Sequence, residues 1–313
     1  MIRKLSFCLV FVMVLLVFTG CQNSEPTSTP IPEPTPTPEP TAVPEPTADP
    51  YAAVNAATFA ANERLGRGIN LGNALDGVNE GAAGLYLQEQ YFTDIAAAGF
   101  DSVRLPVRWS AHTEIAEPYT IDDEAFLERV DWAIEQAFAN DLNVVLNVHH
   151  FDAIMQQPHN QSDRLTAIWR QLAERYQDYP DTLYFELLNE PHENLDSSAW
   201  NEIFPGVLAT IRETNPERTV IIGPDMWNNI QRLDTLELPE DDRHIIATFH
   251  YYSPHQFTHQ GAWWAETGTD EKDIPWGSEA DVKTMTDEFD AALAWSEAEQ
   301  RPLYLGEFGV YYA

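Results

Sequence analysis

After Tyr51 the chain alternates short runs of apolar and β-branched residues with longer runs in which apolar residues recur every three or four positions. The short runs predict strands at Gly68 to Leu71, Ser102 to Val107, Val144 to His149, Leu183 to Asn189, Val220 to Ile222, Ile245 to Tyr251 and Leu303 to Gly306. The longer runs predict helices: Phe126, Val130, Ile134 and Phe138 share one helical face behind Asp122 and Asp123, and Leu165, Ile168, Trp169, Leu172 and Tyr176 share another. Strand and helix in alternation point to βα units around a parallel sheet, and no short internal repeat suggests a solenoid or propeller. The 263 residues from Tyr51 to Ala313 match the ~250 of a (β/α)8 TIM barrel. Seven strand runs instead of eight are found, so the expectation is an α/β barrel truncated before its eighth strand. Its first and seventh strands would keep unpaired edges, and residues 51–313 alone would be weakly active or inactive.

The N-terminal 50 residues follow different rules. Arg3 and Lys4, an apolar run from Leu5 to Phe18 and the small residues Thr19 and Gly20 before Cys21 form an export signal over residues 1–20, too short to span a bilayer comfortably. Phe18-Thr19-Gly20-Cys21 resembles a bacterial lipobox, which implies lipidation of Cys21 and an extracytoplasmic, membrane-anchored product. Residues 21–50 are rich in Pro, Thr and Glu and read as an extended linker.

Composition narrows the partners. The chain carries 17 basic and 50 acidic residues, a formal net charge of −33, which disfavours nucleic acids and other polyanions and leaves a neutral substrate. Its only cysteines are Cys8, inside the signal, and Cys21, so the exported chain forms no internal disulfide. No phosphate-binding glycine loop or nucleotide fingerprint occurs, and no cofactor is expected.

The candidate chemistry lies where strand runs end: Arg104, His149 with His150, Asn189 with Glu190, His250 with Tyr252, and Glu307. In a parallel barrel these ends form one face, so residues distant in sequence meet there. Side-chain alternation places Glu186, Leu188 and Glu190 on one side of their strand, with Glu190 at the mouth and Glu186, a structural acid, about 13 Å deeper at ~3.3 Å per residue. The same alternation groups His250 with Tyr252, and Leu303 and Leu305 with Glu307. A metal held by His149, His150 and His250 is disfavoured, because adjacent residues diverge on a regular strand and no His-x-His or His-Glu-x-x-His spacing occurs.

These positions resemble glycoside hydrolase family 5, the retaining endoglucanases and mannanases, through Gly68-Ile69-Asn70-Leu71-Gly72-Asn73, Val103-Arg104-Leu105-Pro106-Val107, Asn147-Val148-His149-His150, Leu188-Asn189-Glu190-Pro191, Phe249-His250-Tyr251-Tyr252 and Leu305-Gly306-Glu307-Phe308-Gly309. The resemblance implies Glu190 as acid/base and Glu307 as nucleophile, surrounded by Arg104, His149, Asn189, His250 and Tyr252. It also implies Asn73, Asp76 and His150 as substrate-binding residues and Trp264 as a stacking platform, with Trp263 and Trp227 in neighbouring loops. Retaining hydrolysis needs one protonated and one ionised carboxyl group about 5–5.5 Å apart, and Arg104 with Tyr252 would favour the ionised form of Glu307. The expected substrate is a neutral β-1,4-linked glucan. Mannan or mixed-linkage glucan, or oligosaccharide capture without turnover, are the alternatives.

Overall fold

The structure, a computed structural model, describes residues 50–265 and 272–311. The export segment, Cys21 and the linker up to Asp49 lie outside the described residues. Seven strands, β1 (Gly68–Asn70), β2 (Ser102–Leu105), β3 (Asn143–Asn147), β4 (Leu183–Glu186), β5 (Val220–Ile222), β6 (Ile245–Tyr251) and β7 (Leu303–Phe308), form one parallel sheet in chain order. Between them run α1 (Ala52–Leu65), α2 (Glu89–Ala97), α3 (Glu124–Ala139), α4 (Asp152–Gln156), α5 (Pro158–Arg175), α6 (Ser197–Arg212), the one-turn α7 (Asp225–Asn228), α8 (His255–Thr258) and α9 (Glu279–Glu299).

The predicted helical stripes are the faces that bury. Val130 and Ile134 on α3, and Leu165, Ile168, Trp169 and Leu172 on α5, are almost fully enclosed. Asp123 caps α3 by accepting from the Phe126 amide at 3.0 Å, which satisfies one of the amides left unpaired in a helix's first turn. The ladders of β2, β3 and β4 stop at Leu105, Asn147 and Glu186, short of the predicted ends. Single bonds continue them toward the mouth: the His149 amide donates to Val107 and the Asn189 amide to Val148.

Alternation divides the sheet into two faces. Val103, Leu105, Val144, Leu146, Leu183 and Phe185 pack outward into the large core shared with the helices, while Val145, Tyr184, Ile221 and Ile246 form a second cluster inside the barrel. That inner cluster is closed by α1, which contributes Ala61 and Leu65. Around α1 the strand ends are tied by side chains: Thr58 donates to the Arg243 carbonyl, Asn62 to the Leu303 carbonyl, and Ser102 and Tyr184 donate to the Leu65 and Ala61 carbonyls. The helix is therefore a floor under the barrel. Its Ala-rich sequence shows no strong apolar stripe, which is why periodicity did not single it out.

Among the described residues, β1 pairs only with β2 and β7 only with β6. The gap between them is bridged at the mouth by Asn70 of β1, whose Nδ2 donates to the Gly306 carbonyl of β7 at 2.9 Å. Leu65 joins the helical floor to the barrel interior, so Leu65→Ala should lower the unfolding free energy by about 2–5 kcal/mol, the usual cost of such a buried truncation. Urea titration at neutral pH measures it.

Candidate active site

The site is organised around Arg104. Its side chain is fully buried, and each of its five N–H groups has an acceptor. Nε and Nη2 donate to the two oxygens of Glu186 at 2.6 Å each, and Nη2 also donates to Asn189 Oδ1 at 2.7 Å. Nη1 donates to Asn70 Oδ1 at 2.9 Å and to Glu307 Oε1 at 2.5 Å. Burial works against the guanidinium charge, but Glu186 and Glu307 outweigh it and hold the proton firmly. Glu186 is thus the structural acid expected from its depth in β4.

Glu307 arrives by a route that simple alternation misses. On β7, Tyr304 packs toward the barrel interior, and Leu303 and Leu305 pack against the outer core. Uninterrupted alternation would turn Glu307 outward with them. Instead Phe249 pairs with Leu305 and His250 with Glu307, so Gly306 is an extra residue on β7 and the bulge rotates Glu307 into the mouth. A Cβ at Gly306 would lie 2.8 Å from Thr248 Oγ1 and 2.9 Å from His250 Nε2, so the bulge needs a residue without a side chain.

Once there, Glu307 accepts from Arg104 at Oε1 and from the Tyr252 hydroxyl at Oε2, at 2.9 Å. Burial tends to raise its pKa, but the charge of Arg104, with the Tyr252 hydrogen bond, carries it down to about 2. Burial and the same carboxylate push the Tyr252 phenol upward, so it remains a donor.

Glu190 sits just past β4 on left-handed backbone, φ 48°, a strained conformation for a residue with a side chain. His250 Nδ1 lies 2.8 Å from its Oε1, and Asn189 Nδ2 donates to its Oε2 at 3.3 Å. Because Asn189 gives its carbonyl oxygen to Arg104, its amide nitrogen must face Glu190. One carboxylate oxygen of Glu190, one of Glu307 and a ring nitrogen of His250 all lie within 4.8 Å of one another.

His149 is buried beside them, its Nδ1 3.2 Å from the amide nitrogen of Asn147, so its proton sits on Nε2. Burial and Arg104 hold its pKa well below the histidine norm, which makes it a neutral group. The expectation that His149 and His150 diverge is overturned. The ladder ends at Asn147, and beyond it the two rings meet edge to face with centroids 4.5 Å apart. With Asp76 they form a second compact cluster within 4.8 Å. Asp76 also accepts from the amides of Asn73 and Ala74, so it shapes the loop after β1 that presents the exposed, left-handed Asn73.

A cavity of about 700 Å³ opens over the two carboxylates, lined among others by Glu190, Glu307, His250, Tyr252, Trp227 and Trp264. Trp227 is 49% exposed and stacked on His192, whose Nδ1 donates to the Glu190 carbonyl; Trp264 is 53% exposed and meets Tyr311 edge to face. Trp263 is more exposed still and packs against Trp264. Residue-type reasoning passed over Asn70, Asn147 and Asn228, which orient Arg104, His149 and His250. Asn70 and Asn147 stood within the quoted motifs; no local signal marked Asn228.

A parallel barrel with paired carboxylates, histidines and exposed indoles gathered at its C-terminal strand ends has the architecture of a glycosidase. The model of the cellulase family, glycosyl hydrolase family 5, matches residues 66–313, and the chain belongs to that family. It is 38% identical over 252 residues to Endoglucanase H of Acetivibrio thermocellus, covering 80% of this chain and 27% of that protein. It is 29% identical over 263 residues to Endoglucanase B of Clostridium cellulovorans, covering 77% of this chain and 58% of that one. The chain thus spans less than two thirds of these relatives. Among solved structures, a hyperthermophilic endo-β-1,4-glucanase in complex with substrate is 44% identical with a TM-score of 0.79, covering 81% of both chains. Thermotoga maritima Cel5A in complex with mannotriose has the same identity and TM-score, covering 81% of this chain and 82% of that one.

Because the folded state depresses the Glu307 pKa, its ionised form contributes stability that is complete above about pH 4.5 and lost as pH falls toward 2. Urea unfolding of wild type and Glu307→Gln at pH 7, 4 and 3 should show a gap that narrows steadily on acidification. A constant gap would assign the cost of the substitution to packing.

Proposed function

We propose that the chain hydrolyses neutral β-1,4-linked glucan internally, with retention of anomeric configuration. The observation that carries this reading is the meeting of Glu190 and Glu307 oxygens within 4.8 Å across one cavity, the spacing class in which the second carboxylate attacks directly. Glu307, ionised down to about pH 2, attacks the anomeric carbon while Glu190 gives its proton to the departing glycosidic oxygen. The glycosidic bond breaks and an ester to Glu307 forms. Glu190, now a carboxylate, takes a proton from water, whose oxygen attacks the anomeric carbon and releases Glu307.

Arg104 and Tyr252 hold the nucleophile by both oxygens in the ground state. Ester formation neutralises its charge against the electron-deficient anomeric carbon, and the same positive environment stabilises the carboxylate again on release. Trp227 and Trp264 offer flat apolar faces to sugar rings. The high negative charge of the chain supports a neutral polymer over an acidic one. A β-1,4-glucan is supported by the relatives named endoglucanase, while the mannotriose complex of Cel5A makes mannan the second reading.

Product analysis of the full chain on cellulose, glucomannan, mannan and xylan, with anomers followed by NMR, should show β-configured products and highest turnover on glucan. Glu190→Ala and Glu307→Ala should each lose several orders of magnitude in kcat, since each removes a step of the chemistry. Inverted product, or wild-type turnover in either variant, contradicts the assignment.

We further infer from the lipobox-like run before Cys21 that the enzyme is exported and held at the membrane by lipid, with residues 22–50 as a spacer. Cys21→Ala in a bacterial host should move the protein from the membrane fraction to the soluble fraction. Retention in the membrane fraction contradicts lipidation.

A further inference from the structure

The ring of His250 is gripped at both nitrogens, and the two grips are not equivalent. Nδ1 lies 2.8 Å from Glu190 Oε1 and 3.8 Å from Glu307 Oε2. Nε2 lies 3.3 Å from Nδ2 of Asn228. An amide nitrogen only donates, so Nε2 must present a lone pair and the ring proton must sit on Nδ1, aimed at Glu190. An imidazolium would set two donors against each other at Nε2.

Asn228 is fully buried and delivered by a costly local geometry. Met226, Trp227 and Asn228 are consecutive left-handed residues, with φ of 54°, 61° and 54°, each disfavoured for a residue with a Cβ. Among the described residues its Oδ1 has no hydrogen-bond partner. Gly223 makes the space, since a Cβ there would lie 2.2 Å from that oxygen. The reversed amide would give Oδ1 a partner only with a proton on Nε2, either added to make an imidazolium, whose two protonated-type nitrogens the spectrum below would show, or moved there from Nδ1. Bare Nδ1 would then face Glu190 Oε1, which repels whenever Glu190 is ionised.

We propose that Asn228 is a positioning residue for the acid/base: it holds His250 neutral, with its proton on Nδ1 directed at Glu190 Oε1. The proposal rests on the glycosidase reading above. A neutral donor at Oε1 leaves Oε2 free to release and regain the catalytic proton, whereas an imidazolium at that distance would pin Glu190 as a carboxylate. The charged or titratable groups facing His250 are Glu190, Glu307 and His149; the turn of α7 faces it with the Asn228 amide.

The test uses the full chain with ¹⁵N-labelled histidine, the His250 signals being assigned by their loss in His250→Asn. In wild type at neutral pH, Nδ1 should give a protonated-type shift and Nε2 a bare-type shift. In Asn228→Asp both nitrogens should become protonated-type, because the new carboxylate accepts from Nε2, and the alkaline limb of the kcat/KM profile should move to lower pH. Asn228→Leu should weaken the tautomer preference, which Glu190 alone would then hold, and lower kcat by about tenfold with KM within about twofold, a fraction of the 10²–10⁴ available to general acid catalysis. Gly223→Ala, which displaces the Asn228 amide without altering it, should reproduce the shift pattern of Asn228→Leu and serves if that variant does not fold. A proton on Nε2 in wild type, or an unchanged spectrum in Asn228→Asp, overturns the proposal. The spectra need no substrate, so a chain that fails to hydrolyse glucan while showing the expected tautomer refutes the enzymatic reading alone.

Discussion

The structure of the mouth depends on one buried cation whose every donor is used. Arg104 joins β1 through Asn70, β4 through Glu186 and the residue beyond it through Asn189, and β7 through Glu307. A guanidinium without water would be very unfavourable if any of these acceptors were missing, because an unpaired buried charge costs several kcal/mol. The network therefore behaves as a unit. Glu186 supplies the counter-charge that keeps Arg104 in the interior, and the remaining donors place Glu307 and hold it as an anion. Asn189 is oriented by the same cation and passes that orientation on to Glu190.

Two features of the fold let this network form. The floor made by α1 seals the opposite end of the barrel with Ala61 and Leu65 and satisfies strand-end carbonyls and hydroxyls there, so apolar side chains fill the interior below Arg104. At the other end, the bulge at Gly306 turns Glu307 from the helix-facing side to the mouth. Neither feature lines the cavity over the carboxylates. Each decides whether the carboxylates can face one another, and the Asn70 link to the Gly306 carbonyl binds the bulge to β1 across the gap between the first and seventh strands.

The two carboxylates are treated unequally by their neighbours. Glu307 receives a permanent cation and a phenol, which fix it as an anion. Glu190 receives the imidazole of His250 and the amide of Asn189 and stands on strained backbone at the rim. Neutral donors leave a carboxyl group able to exchange a proton, and a cation does not. The two acids thus differ in the donors they meet.

The amino-acid sequence alone determined the βα rhythm, the apolar faces of α3 and α5, the family motifs and the identity of the two acids, because all of these are written in local periodicity or short ordered runs. It did not reveal α1, whose burial comes from its place under the barrel and not from an amphipathic stripe. Alternation put Glu307 on the correct side for the wrong reason, since the rule assumes an unbroken ladder and Gly306 breaks it. His149 and His150 were expected to part, yet they meet because the strand ends before them. Asn70, Asn147 and Asn228 were unreadable as site residues: an asparagine acts through the direction of its amide, and that direction is set by partners up to more than 200 residues away in the chain, such as Asn70 with Gly306. The sequence thus named the two acids that meet in the site. Only the tertiary structure decided how far apart they stand and which donors hold Glu307 as an anion, because both depend on charges and donors brought together by folding.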